Sequence, residues 1–240
     1  MEVVGRLASG VAHEVKNPLA IILQGVDYLT KKVDTEDRNI HSTLSFIKDA
    51  THRADKVIKG LLDFSSISKL DIRSENLNSI IESTILLMKH YLSENKIQLI
   101  KDFNEKIPEV KVDKNRIEQV FINISMNAAQ AMPNGGTLLF RTYTKKLSQS
   151  DKGVGRRKED PYKLGETLVL AEVEDTGPGI PEDSLDKIFD PFFTTRRGEG
   201  GTGLGLSSVR NIMELHEGQI EIQNKKSGGA KATLMFKIDE

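Results

Sequence analysis

The chain has 240 residues, 34 Lys and Arg against 35 Asp and Glu, and 38% hydrophobic content. That is room for one large or two modest domains with their own cores, and the absent basic surplus argues against a nucleic-acid binder. The chain has no cysteine, which excludes disulfides, zinc ribbons and thiol nucleophiles, and no apolar run near the roughly 18 residues of a membrane span, so it reads as a soluble cytoplasmic protein without membrane contact.

From Val4 to Val33 apolar residues recur at steps of three and four, through Leu7, Val11, Val15, Leu19, Ile22, Val26 and Leu29. This spacing predicts an amphipathic helix with a coiled-coil-like seam. After a polar stretch at 34–39, a second set follows at Ile40, Leu44, Ile47, Ala54, Ile58, Leu61 and Phe64, interrupted at Thr51. The pair reads as a helical hairpin. Two helices alone cannot enclose so wide an apolar stripe, and dimerisation into a four-helix bundle solves this.

Periodicity lapses around 70–77, which sets a boundary between a hairpin domain at 1–72 and a second domain at 73–240. Asn78 and Ser79 read as a helix N-cap, with Glu82 placed for a capping box. Beyond them the pattern predicts a helix at 79–92, strands at 97–103 and 110–113, and a helix at 115–131. Strands at 137–144 and 167–175, a helix near 203–216 and strands at 219–224 and 231–238 complete an α/β layer domain. Residues 148–166, rich in Lys, Arg, Gly and Asp, read as a long, mobile hairpin loop.

On the first helix, His13 points away from the apolar seam and is expected to face solvent. Such a residue is commonly an unremarkable surface histidine. Here Glu14 beside it can take the imidazole proton, leaving the other ring nitrogen free to attack an electrophile, and Asn17 shares its face one turn on. Pro18 removes a backbone donor, so a bend is expected there.

In the helix at 115–131, Asn123 and Asn127 lie at i and i+4 within an otherwise apolar stretch. Buried amides need partners, so they either bond neighbouring backbone or face a polar ligand or metal ion. Asp175 ends a hydrophobic strand and opens DTGPGI, a common type of turn by itself. GTGLGL then opens a helix, where backbone amides favour phosphate; a flexible interdomain loop is the plainer reading. No lysine follows the glycines as a P-loop requires, and the histidines His13, His41, His52, His90 and His216 show no metal-ligand spacing.

In this order, HEVKNPL at 13–19, NISMNAAQAM, DTGPGI, FDPFF and GTGLGL resemble the five boxes of the catalytic core of a bacterial two-component sensor histidine kinase. Each box is weak alone; their joint order across residues 13–206 is specific. The resemblance implies a dimerising helical hairpin followed by an α/β sandwich of the type shared with gyrase, MutL and a heat-shock chaperone. It implies an ATP-dependent protein histidine kinase that is phosphorylated on His13 and passes the group to an aspartate of a response regulator, with phosphatase activity as well.

By the same resemblance, Glu14 would be the acid/base partner and Asn17 would position water for dephosphorylation. Asn127 would coordinate Mg²⁺ on the ATP phosphates, with Asn123 nearby. Asp175 would bond the adenine amine, with Gly177 and Gly179 admitting the base. Gly201, Thr202, Gly203, Leu204, Gly205 and Leu206 would hold phosphates. Residues 181–200 would form a mobile lid whose Ile188, Thr194, Thr195, Arg196 and Arg197 contact nucleotide. The implied partners are a second copy of the chain and a response-regulator receiver domain. ATPase relatives carry glutamate where this chain has Asn123, and an amide cannot serve as a general base, so ATP would persist until His13 attacks. A non-catalytic scaffold and a free-standing ATPase are the rival readings.

Overall fold

The computed structural model describes residues 2–32, 38–65, 70–148, 162–196 and 201–238, with side chains of the first helix from Val15 onward. It divides into two units, Met1–Lys69 with Asp190–Ser208, and Leu70–Phe189 with Val209–Glu240.

In the first unit, α1 (Glu2–Lys32) and α2 (Arg38–Ser65) pack together as the two arms of a hairpin. Helix α1 continues through Pro18. Val26 and Leu44 are buried between the arms. Thr51, the interruption in the apolar pattern, is also buried, and its hydroxyl donates to the Ile47 carbonyl at 2.7 Å, so it satisfies itself within its own helix. Lys48 meets Asp27 at 2.8 Å across the arms; both are exposed, so the pair adds little. Much of the apolar seam is open in the single chain: Ile22 is 44% exposed, Leu29 45% and Ile47 41%.

The second unit starts with β1 (Arg73–Glu75), too short and polar to show in the sequence pattern, paired antiparallel with β3 (Val110–Val112). Helix α3 (Leu77–Glu94) follows. Its N-cap is Asn76, whose side chain accepts from the Ser79 amide, rather than the expected Asn78 or Ser79. The helix begins earlier because Leu77, Ile80 and Ile81 are all needed in the core. Asn78 instead donates to the Asn104 carbonyl and accepts from the Thr142 hydroxyl, while Glu82 pairs with Lys101.

Strand β2 (Ile97–Phe103), helix α4 (Lys114–Ala131), strands β4 (Gly136–Lys146) and β5 (Thr167–Asp175), helix α5 (Gly205–Leu215), and strands β6 (Gln219–Asn224) and β7 (Ala230–Lys237) complete the chain. The five-stranded sheet runs β2-β4-β5-β7-β6, parallel only between β2 and β4. One core joins this sheet to α3, α4 and the end of α5, through residues such as Ile81, Phe121, Val173, Val209 and Leu234.

Strand β5 is buried almost throughout, which explains its near-continuous apolar sequence. Val169, Ala171 and Val173 face the helices, while Leu168 and Leu170 join a separate cluster with Leu147, Tyr162 and Met235. Tyr162 lies within the expected loop at 148–166, yet it is buried, and its hydroxyl donates to the Met235 carbonyl at 2.6 Å. Burial pushes its phenol pKa up. Tyr162 is therefore core, while Lys163, Leu164 and Gly165 after it are exposed; residues 149–161 lie outside the described residues.

Candidate functional site

The β5 strand delivers Asp175 to its C-terminal end, where the side chain is 7% exposed. Its Oδ1 accepts from the amides of Gly177 at 2.8 Å and Ala230 at 3.2 Å. These two bonds fix the carboxylate and leave Oδ2 outside them. The loop leading away is tight. A Cβ on Gly229 would clash with the Asp175 carbonyl oxygen, and Gly229 has φ of +83°, so only glycine fits there. A Cβ on Gly177 would lie 3.0 Å from Asp175 Oδ1 and 3.3 Å from the Ala131 Cβ.

That last contact joins the loop to α4. Asn123, Asn127 and Ala131 stand at i, i+4 and i+8, one face of the helix, and Ala131 abuts Gly177. The two amides thus line a ridge that leads to Asp175. They are not buried, as their apolar neighbours suggested: Asn123 is half-buried and Asn127 exposed, because Ile117, Val120, Phe121, Ile124 and Ala128 take the core side of the helix. Among the described residues no group of three or more His, Asp or Glu can hold a metal ion by itself. A hard cation at Asn127 would therefore draw most of its ligands from phosphate and water, a habit of Mg²⁺.

Sequence reasoning missed Asn224, Gly229 and Thr176. Asn224 bonds both backbone groups of Ile180, and Thr176 accepts from the Thr137 amide at 2.9 Å, tying the loop to the start of β4. Gly229 carried a signal in the Gly228–Gly229 pair that precedes the last strand; Asn224 carried none, since it looks like a strand end.

Ile188 is buried within the second unit, and Arg210 lies over the neighbouring Phe189 ring, 4.5 Å from its centroid. Within Asp190–Ser208, the Phe192 amide donates to the Gly203 carbonyl at 2.9 Å, and a Cβ on Gly203, with φ of +69°, would strike the Phe192 backbone. FDPFF and GTGLGL are held together in this way. Thr194 accepts from the Arg196 amide, the Gly201 amide donates to the Arg196 carbonyl, and Thr202 accepts from the Leu204 amide. Thr195 and Gly201 are exposed, Gly205 and Leu206 half-buried and Leu204 buried. Arg197 lies outside the described residues, as do the side chains of His13 and Glu14, whose backbone belongs to α1. Asn17 is exposed on that helix, one turn beyond His13.

A family model described as histidine kinase-, DNA gyrase B- and HSP90-like ATPase matches residues 112–240. The chain belongs to this family. Within the histidine kinase-like ATPase core lie α4 with both asparagines, the Asp175 loop and GTGLGL; the model of the His Kinase A (phospho-acceptor) domain matches residues 3–70. The chain is 31% identical to the sensor histidine kinase ZraS of Escherichia coli strain K12, over 98% of this chain and 46% of that protein. It is 36% identical to the sensory histidine kinase/phosphatase NtrB of Escherichia coli O157:H7, over 90% of this chain and 57% of that one. The chain thus spans about half the length of the curated relatives it matches. Among solved structures, the histidine kinase ThkA in complex with the response regulator TrrA superposes with a TM-score of 0.65 at 26% identity, covering 99% of this chain and 62% of that one.

Proposed function

We propose that this chain is the core of a sensor histidine kinase. It uses ATP to phosphorylate His13 and passes the phosphoryl group to an aspartate of a response-regulator receiver domain. The observation that carries this reading is the Asp175 carboxylate, pinned through Oδ1 by a glycine-containing loop whose backbone packs directly against it, on the same chain as a phospho-acceptor domain containing His13.

Each residue then has a task set by its chemistry. Asp175 Oδ2 accepts a hydrogen bond from the adenine amine, and Gly177 and Gly179 let the backbone approach the base. The amides at the start of α5, with Gly201, Thr202 and Gly203 before it, suit phosphate oxygens. Asn127, with Asn123 one turn earlier, would hold Mg²⁺, whose charge offsets that of the phosphates. A ring nitrogen of His13 donates its lone pair to the γ-phosphorus as the bond from that phosphorus to the β–γ bridging oxygen breaks and ADP leaves. Glu14 accepts the ring proton. Because Asn123 is an amide, it cannot deprotonate water, and hydrolysis does not compete.

The opposing activity, hydrolysis of the regulator's phosphoryl aspartate to inorganic phosphate, would use a water positioned by Asn17, exposed on the His13 face. The open seam at Ile22, Leu29 and Ile47 supports a homodimer through the hairpin, since apolar area of this kind is normally covered. The sensory NtrB is named as both kinase and phosphatase, and ThkA is found with a response regulator, which agrees with both activities. Such a core works in the cytoplasm, where its ATP is.

Incubation with γ-labelled ATP and Mg²⁺, comparing the wild type with His13→Gln, tests the reading. Acid-labile, base-stable label on the wild type alone is the expected result; rapid ATP hydrolysis with no labelled protein would overturn it.

A further inference from the structure

His216 follows α5, is 8% exposed, and uses both ring nitrogens. Nδ1 lies 2.7 Å from the Ile212 carbonyl, which can only accept; Nε2 lies 3.0 Å from the Asp113 amide, which can only donate. Those partners require one state of the ring, neutral with the proton on Nδ1. A protonated ring would turn an N–H toward the N–H of Asp113 and break the bond.

Asp113 is where α4 begins. Its Oδ1 accepts from the amides of Asn115 and Arg116, capping the helix that carries Asn123 and Asn127, and its Oδ2 accepts from the Asp71 amide at 3.1 Å. Asp71 lies where the chain enters the second unit, two residues before β1. One residue, Asp113, thus takes hold of the entering chain with one oxygen and of α4 with the other, and its own backbone is held from the end of α5 by His216.

We propose that His216 is a positioning residue for nucleotide binding: by holding the Asp113 amide it fixes the start of α4, and through it the placement of Asn123 and Asn127, relative to the end of α5 and to the entering chain at Asp71. The inference deepens the kinase reading and rests on it. The sequence offers no metal or catalytic role for His216, and the geometry explains why it is a histidine. A buried side chain here must donate at one end and accept at the other. The charged groups that act on the ring are Asp113, which favours its protonation, and Arg116, which opposes it, both from the start of α4; Glu217, the next residue, is engaged by Lys237 at 2.7 Å.

The test compares His216→Leu and His216→Gln in the full chain. Gln keeps an acceptor that reaches toward the Asp113 amide, whereas Leu leaves that amide buried and unpaired. Calorimetric titrations with Mg²⁺-ATP and with ADP in EDTA separate the two halves of the site, since only the first depends on Asn127. His216→Leu is expected to weaken Mg²⁺-ATP about tenfold and ADP in EDTA less than about threefold, with Gln recovering most of the loss. Unchanged Mg²⁺-ATP affinity, or equal losses for both ligands, overturns the proposal.

If the Leu variant does not fold, the wild type decides by nuclear magnetic resonance. The Asp113 amide signal must shift along the His216 ring titration, and an amide indifferent to the ring overturns the proposal. Asn127→Ala is the control for the underlying reading. Should it leave Mg²⁺-ATP binding intact, the assignment of Asn127 fails, while the Asp113 response still judges His216.

Discussion

Asn224 grips Ile180 by both backbone groups: its Nδ2 donates to the Ile180 carbonyl at 2.6 Å, and its Oδ1 accepts from the Ile180 amide at 2.7 Å. A side-chain amide here does the work of a neighbouring strand. It holds the far end of DTGPGI to the end of β6, while the Asp175 bonds hold the near end. Gly179, with φ of +81°, packs so closely on this amide that a Cβ would lie 2.8 Å from Asn224 Oδ1.

Replacing Asn224 with Ala removes both bonds and frees the loop that frames Asp175. Nucleotide affinity is expected to fall about three- to tenfold, with only a small loss of stability because the amide is exposed. Asn224→Asp keeps the acceptor and loses the donor, so it should fall between wild type and Ala. Calorimetric titration with ADP checks the order, and an Ala variant that binds like wild type would leave the loop's shape independent of this bridge.

Gly228 and Gly229 stand side by side with φ of +90° and +83°, yet their surroundings differ. A Cβ on Gly228 meets nothing within 4 Å, whereas one on Gly229 runs into the Asp175 carbonyl oxygen. Gly228→Ala should therefore cost only the backbone conformation, about 1 kcal/mol. Gly229→Ala adds a clash that displaces Asp175, and should cost about 3 kcal/mol or more together with nucleotide binding. Urea unfolding of the two variants measures the difference.

Tyr162 places a phenol under the outer face of the sheet, bonded to Met235. Tyr162→Phe leaves the Met235 carbonyl without that partner and is expected to lower stability by about 1–2 kcal/mol. Tyr162→Ala also empties the space between Leu147, Leu168 and Leu170, and should cost about 3–5 kcal/mol. Thermal unfolding is the measurement, and a Phe variant as stable as wild type would mean that the hydroxyl bond contributes no net stability.

Where a residue's place follows from its own periodicity, the sequence was a reliable guide. Strands β2, β5 and β6 end where the apolar pattern ends, and the hairpin helices follow their three-and-four spacing. It misled where burial is settled by distant partners. Asn123 and Asn127 sit among apolar neighbours, but which face of α4 meets the sheet depends on strands up to a hundred residues away. Tyr162 lies in a polar stretch, and its place among Leu147, Leu168, Leu170 and Met235 on the sheet makes it core. Asp175 and its glycines stood out as a motif, while Asn224, which shapes the same loop, has no local mark because its partner Ile180 is 44 residues distant.

The two proposed activities separate at Asn127 and Asn17. Asn127→Ala should abolish autophosphorylation, because the exposed amide that would hold Mg²⁺ on the ATP phosphates is then missing. Asn17→Ala should leave autophosphorylation intact and slow regulator dephosphorylation about tenfold or more, the scale of a lost positioning contact. Equal loss of autophosphorylation in both variants would contradict this division of roles.

Acid should loosen the second unit through His216, and the direction follows from its surroundings. Burial, the largest influence, pushes the ring below its ordinary value of 6.5, against the Ile212 carbonyl and Asp113, which favour protonation, and with Arg116, which opposes it. In the unfolded chain the ring titrates normally, so between the folded value and 6.5 the unfolded state binds more protons. The contribution of neutral His216 is therefore complete above 6.5 and is lost as pH falls from 6.5 toward the folded value. Other groups titrate in the same range, so the comparison must be with His216→Gln, which lacks this proton. The stability gap between wild type and His216→Gln should narrow as pH falls below about 6.5; a constant gap would show that the ring titrates as freely in the folded protein as in the unfolded chain, and a widening gap that folding favours its protonation, either of which contradicts the expectation.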